Sequence, residues 1–207
     1  MWTNLGKIKH GQKDLFNDMI RKYQQPIAKF LMLRGFKIYE AEDICQETFI
    51  QITSDNFLSQ ADKDKGKFRS LILSVVKNLS YNYLKKNNSR KKKETAAMES
   101  STDHMTDESF NECWAFNIIQ DALDKLKAIS QESKVPYYDI IYLRFFDNLS
   151  FEDIRIKLGL GEKELRNHTK YANRKIKCII LDLIKQYCSS LDEFQHEVQS
   201  LSKYWEF

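Results

Sequence analysis

Lys65-Gly-Lys-Phe-Arg-Ser-Leu-Ile-Leu-Ser-Val-Val-Lys-Asn-Leu-Ser-Tyr-Asn-Tyr-Leu-Lys-Lys-Asn-Asn-Ser-Arg-Lys-Lys-Lys93 sets the terms for the rest of the chain. Gly66 sits in a polar loop, and about five turns of helix follow it. Phe68, Leu71, Ile72, Val75, Val76, Leu79, Tyr83 and Leu84 recur at helical spacing, so one stripe faces a core. Arg69, Lys77, Asn78, Tyr81, Asn82, Lys85 and Lys86 fall largely outside that stripe, and the helix runs on into Arg90-Lys91-Lys92-Lys93. Such an outer face suits nucleic acid. Cations neutralise phosphates, amides bond base edges, and an aromatic ring stacks on an unpaired base. The plainer reading is a solvated helix face whose basic end complements the macrodipole.

Composition narrows the class. Of 207 residues, 30% are charged and 42% hydrophobic, and 6 Gly and 2 Pro leave few breakers, which points to an all-α protein. The net charge is only +4, so any basic function must come from local clustering. Cys45, Cys113, Cys178 and Cys188 show no paired spacing, and His10, His104, His168 and His196 are scattered. Neither a disulfide framework nor a metal-ligand spacing is expected, and no cofactor is implied. The N-terminus lacks an apolar h-region and no apolar run is long enough to span a bilayer, so a cytoplasmic protein without membrane insertion is the expectation.

Upstream, Gln12 to Leu33 reads as one or two amphipathic helices. Leu15, Phe16, Met19, Ile20 and Tyr23 form the first stripe, and Ile27, Phe30 and Leu31 continue it past Pro26 to a stop at Gly35. The next helix, over 39–52, has Ala41, Ile44, Cys45, Thr48, Phe49 and Ile52 on its inner side. Glu40, Asp43, Gln46, Glu47 and Gln51 project outward. Carboxylates at spacings of three and four with no lysine between them repel one another, so this face fits a basic partner surface or is simply a solvated acidic face.

Downstream, the hydrophobic pattern vanishes from Asn87 to about Ser109, which marks a linker. A second helical pattern begins near Phe110, with Trp114, Ile118, Ile119, Ala122, Leu123 and Leu126 as its stripe. Pro136 opens a further helix to Phe146. Ser150 caps 151–158, Gly159-Leu160-Gly161 turns the chain, and a long helix runs from Glu162 to about Tyr187 with Arg, Lys and Asn on its outside. Two short helices, a glycine turn and a basic third helix form a helix-turn-helix pattern. Ser189 to Phe207 reads either as another helix packed on this domain or as an interaction tail.

Glu42-Asp-Ile-Cys-Gln-Glu-Thr-Phe49, followed by Gly66-Lys-Phe-Arg-Ser-Leu-Ile72 and Lys77-Asn-Leu79, resembles region 2 of the sigma-70 family. The likeness is greatest to the compact, two-domain, extracytoplasmic-function type. Tyr142-Leu-Arg-Phe-Phe-Asp-Asn-Leu-Ser-Phe-Glu-Asp-Ile154 through Gly159 and Leu160 resembles the start of region 4. The resemblance implies region 2 over 8–93, a flexible linker over 94–109, region 4 over 110–187 and a C-terminal extension over 188–207. It also implies binding to the β′ and β subunits of core RNA polymerase and to promoter DNA, with an anti-sigma factor or a DNA-binding recruiter left open as a further partner.

By position, the implied polymerase-binding residues are Glu40, Asp43, Gln46 and Glu47. Those for the −10 element are Lys65, Lys67, Arg69, Lys77, Asn78, Tyr81, Asn82, Lys85 and Lys86. Lys163, Arg166, Asn167, Lys170 and Arg174 fall where the family meets −35 DNA or other upstream DNA. Region 4 departs from the family pattern. Arg155 stands where a small alanine is usual, and Glu162 and Glu164 open a helix that should approach phosphate, so altered −35 readout is expected.

A catalytic reading finds no footing: a di-iron bundle needs a Glu-x-x-His motif on each of two helices and the sequence offers only Glu193-Phe-Gln-His196, and no nucleophile–base logic links His168 to Cys178. The competing binding reading is a helix-turn-helix regulator that works without core polymerase.

Overall fold

The computed structural model describes residues 13–54, 68–88, 106–188 and 190–205. Among them are eight α-helices and no strand: α1 (Lys13–Met32), α2 (Ile38–Thr53), α3 (Phe68–Asn88), α4 (Asp107–Ser133), α5 (Tyr137–Phe145), α6 (Phe151–Leu158), α7 (Glu162–Lys185) and α8 (Leu191–Leu201). A 3₁₀ turn, Ser202–Tyr204, follows α8. The all-α expectation holds. The chain divides into two compact units between Ala115 and Phe116.

In the first unit α1 packs on α2 and α2 on α3. The apolar stripes read from the sequence meet in one core, where Ile27, Phe30, Leu31, Ile44, Phe49, Ile52, Ile72 and Val76 are almost wholly buried. Pro26 lies inside α1, which is one helix rather than two. Leu15, Phe16 and Met19 of the expected stripe lie outside the described side chains. Helix α1 stops in a paired-bond motif: Gly35 N–H donates to Met32 O (3.0 Å) and Phe36 N–H to Leu31 O (3.3 Å). That geometry requires the positive φ of +87° which glycine adopts without strain.

The first turns of α4 belong to this unit. Phe110 meets Phe30 edge-on with ring centroids 5.2 Å apart, and Trp114 lies 4.6 Å from Tyr23. Thr106 caps α4 by accepting from Ser109 N–H at 3.1 Å. The helix therefore starts inside the stretch read as linker, whose residues 94–105 lie outside the described part.

In the second unit α5 packs on α6 and on α7. Ile140, Leu143, Ile154 and Leu165 form its centre, with Leu149, Phe151, Leu158 and Leu160 around them. Ser150 caps α6 by accepting from Asp153 N–H at 3.1 Å, as the capping-box spacing predicts. Gly159, at φ +65°, ends α6 with the motif that ends α1: Leu160 N–H donates to Arg155 O (3.1 Å). Ser190 caps α8, which packs on α7 with Leu201 fully buried. Of the two readings left open for the C-terminal stretch, the packed helix is the one observed.

Candidate nucleic-acid interface

Helix α2 owes its orientation to a complete apolar side: all six residues read as inward are buried. Opposite them, Asp43, Gln46 and Glu47 are exposed, as expected. Tyr39 and Ile50 are also exposed, at 53% and 68%. Positions 39, 43, 46 and 50 follow one another at helical spacing, so two apolar side chains bracket the acid–amide pair on a single line. Charge alone did not single out Tyr39 and Ile50, but a helical projection of 38–53 would have.

Glu40 corrects the sequence reading, which placed it on the outward face. It is 8% exposed. Its Oε2 accepts from Lys37 N–H at 2.8 Å, closing the first turn of α2, and its Oε1 accepts from Tyr83 O–H at 3.1 Å. A carboxylate three residues into a helix is placed to bend back onto free N–H groups, and here the same group is also covered by α3.

On α3, Asn78, Tyr81, Asn82, Lys85 and Lys86 are exposed and Lys77 is half-buried. Ser70 and Ser74 carry the same polar side back toward the start of the helix. The face anticipated from the sequence exists, with a tyrosine 56% exposed between two amides. Arg69 is the second correction. It is only 3% exposed, and its guanidinium lies 5.7 Å from the Trp114 ring centroid. The indole arrives from α4, 45 positions along the chain, so periodicity within α3 could not reveal it; a flat cation beside an aromatic face is favourable once desolvated. Lys65, Lys67 and Arg90 to Lys93 lie outside the described residues.

On α7, Lys163, Arg166, Asn167, Lys170 and Arg174 are all exposed. Lys163, Asn167, Lys170 and Arg174 follow one line at helical spacing, and Lys177, also exposed, extends it. Arg166 lies 2.6 Å from Glu162 Oε1, while Glu164 sits 3.5 Å from His168 and accepts weakly from Gly161 N–H. The two carboxylates that looked unfavourable for phosphate are thus partly occupied within their own helix. Among the described residues no group of three or more His, Cys, Asp or Glu could hold a metal ion, and no helix is long and apolar enough to cross a membrane.

Residues 19–90, which take in most of α1 with all of α2 and α3, match the family model of sigma-70 region 2. This segment is similar to sigma-70 region 2, which supports a sigma factor of the sigma-70 family. No curated protein matches the sequence. The likeness supports a role in promoter melting by RNA polymerase, with core polymerase and promoter DNA as partners. The acidic line of α2 and the amide–aromatic face of α3 both fall within the matched segment. Helices α5–α7 lie beyond it, and their reading as region 4 rests on their own residues and turn geometry.

Proposed function

We propose that this protein is a cytoplasmic, non-catalytic sigma factor of the two-domain type, in which α2 docks on core polymerase and α3 captures the opened −10 strand. The carrying observation is the contrast between neighbouring helices: Tyr39, Asp43, Gln46, Glu47 and Ile50 on one, Asn78, Tyr81, Asn82, Lys85 and Lys86 on the other. The carboxylates of α2 would orient a basic partner surface, and Tyr39 and Ile50 would bury apolar area at its ends. On α3, Tyr81 would stack on an extruded base while Asn78 and Asn82 bond its edge. Extruding a base costs a few kcal/mol, which stacking of about 1–3 kcal/mol plus amide bonds can offset.

In the second unit, the line from Lys163 to Arg174 would lie against DNA, whereas the occupied start of α7 would hold phosphate poorly. The domain therefore reads an altered −35 element, or is placed upstream with the help of a second DNA-binding protein. Randomising the −35 region separates these: a sharp preference there leaves no room for the helper.

Run-off transcription with purified bacterial core tests the division of labour. Asp43→Lys/Glu47→Lys is expected to abolish core binding and, with it, transcripts. Asn78→Ala should retain core binding but lower promoter opening about tenfold, the worth of one well-made hydrogen bond. Equal core affinity in the charge-reversed protein would contradict the assignment of α2. Should the protein regulate transcription without binding core at all, the helix-turn-helix regulator reading takes its place.

A further inference from the structure

The two functional faces of region 2 lie on different helices, so their relative placement is only as definite as the packing of α2 on α3. Many of the side chains buried on these two helices are aliphatic, Ile44, Ile52, Ile72 and Val76 among them, and such burial favours contact without fixing direction. Set among it is a directional link. Glu40 uses Oε2 on Lys37 N–H and Oε1 on Tyr83 O–H, at 2.8 and 3.1 Å. The Tyr83 ring is also held against Phe36, with centroids 6.2 Å apart.

We propose that the Glu40–Tyr83 bond is a positioning device that couples the polymerase-docking helix to the strand-capturing helix. Resting on the proposed roles of α2 and α3, it assigns Glu40 an interior function distinct from the docking surface. The chemistry fits the task. A carboxylate accepting from a phenol makes a strong, directional hydrogen bond, and one nearly removed from solvent is weakly screened. Its two ends sit at informative places. Glu40 lies one turn before Asp43, and Tyr83 follows Tyr81 and Asn82 directly. Fixing the Tyr83 phenol relative to the first turn of α2 fixes the angle at which Tyr81 and Asn82 meet DNA once α2 is seated on polymerase. Neither residue touches polymerase or DNA in this scheme; both act through the residues they place.

The test uses the full chain with core polymerase and a promoter recovered by transcribing fragmented genomic DNA. Tyr83→Phe removes the hydroxyl and keeps the ring. It is expected to leave helicity and core affinity within about twofold of wild type. Permanganate-detected opening of the duplex promoter should fall about fivefold or more, and a template already unpaired at −10 should restore transcription. Glu40→Gln, whose amide can accept from Lys37 N–H and donate to the Tyr83 oxygen, should stay close to wild type, while Glu40→Ala should resemble Tyr83→Phe. Unchanged opening in Tyr83→Phe, or core affinity and opening falling together, would overturn the coupling. Failure of the wild-type protein to bind core would instead remove the reading of α2 on which the coupling rests.

Discussion

Cys45 and Cys178 show what surroundings do to one side chain. Cys45 is buried, its Sγ lies 3.7 Å from Gln24 O, and burial, reinforced by the Glu42 carboxylate, pushes its thiol up to about 12. Burial likewise raises Cys113, although Arg34 and Lys29 pull it back. Cys178 is exposed on α7. The thiolate is the reactive species, so iodoacetamide at pH 8 should modify Cys178 readily while Cys45 and Cys113 stay unmodified until the protein is unfolded in urea. Peptide mapping by mass spectrometry reads this directly, and rapid modification of Cys45 in the native protein would mean that the α1–α2 contact is looser than described. Because the folded state favours the neutral Cys45 thiol, its contribution to stability is intact below the ordinary thiol value. That contribution fades as the pH climbs toward 12. At this scale the sequence was a partial guide. It placed Cys45 inward by spacing, but it placed Arg69 and Glu40 outward because a charge on a wheel diagram carries no sign of the Trp114 or Tyr83 that will cover it.

At the scale of elements, α4 departs most from its sequence reading. Its apolar stripe was legible, yet the division of that stripe between two units was not, because helical periodicity says that a face is buried and not what buries it. Phe110 and Trp114 are 1% and 2% exposed against Phe30 and Tyr23 of the first unit. A fragment ending at residue 95 would leave Phe30, Tyr23 and Arg69 without these neighbours. Loss of a buried Phe or Trp side chain costs about 3–5 kcal/mol. Fragment 1–95 should therefore unfold at a clearly lower urea concentration than fragment 1–116, measured by circular dichroism. Identical midpoints would show that the start of α4 adds nothing to the first unit. By contrast, α5–α7 were readable almost turn by turn, since Ser150, Asp153, Gly159 and Gly161 are local signals that need no distant partner.

At the scale of the whole molecule, charge is sorted helix by helix rather than spread evenly. The net charge is small, but α2 presents carboxylates without lysine, while α3 and α7 present amides and cations. A sigma factor organised as proposed should open DNA only in company, because its proposed strand-capturing residues on α3 would meet single strands that polymerase must help expose. The decisive measurement is permanganate reactivity of thymines around the −10 position of a promoter this protein serves, with and without purified core polymerase. Reactive thymines are expected only when protein and core are both present, and none when Asp43→Lys/Glu47→Lys replaces the wild-type chain. Strong, core-independent binding to duplex DNA, with no thymine becoming reactive when core is added, would contradict that expectation.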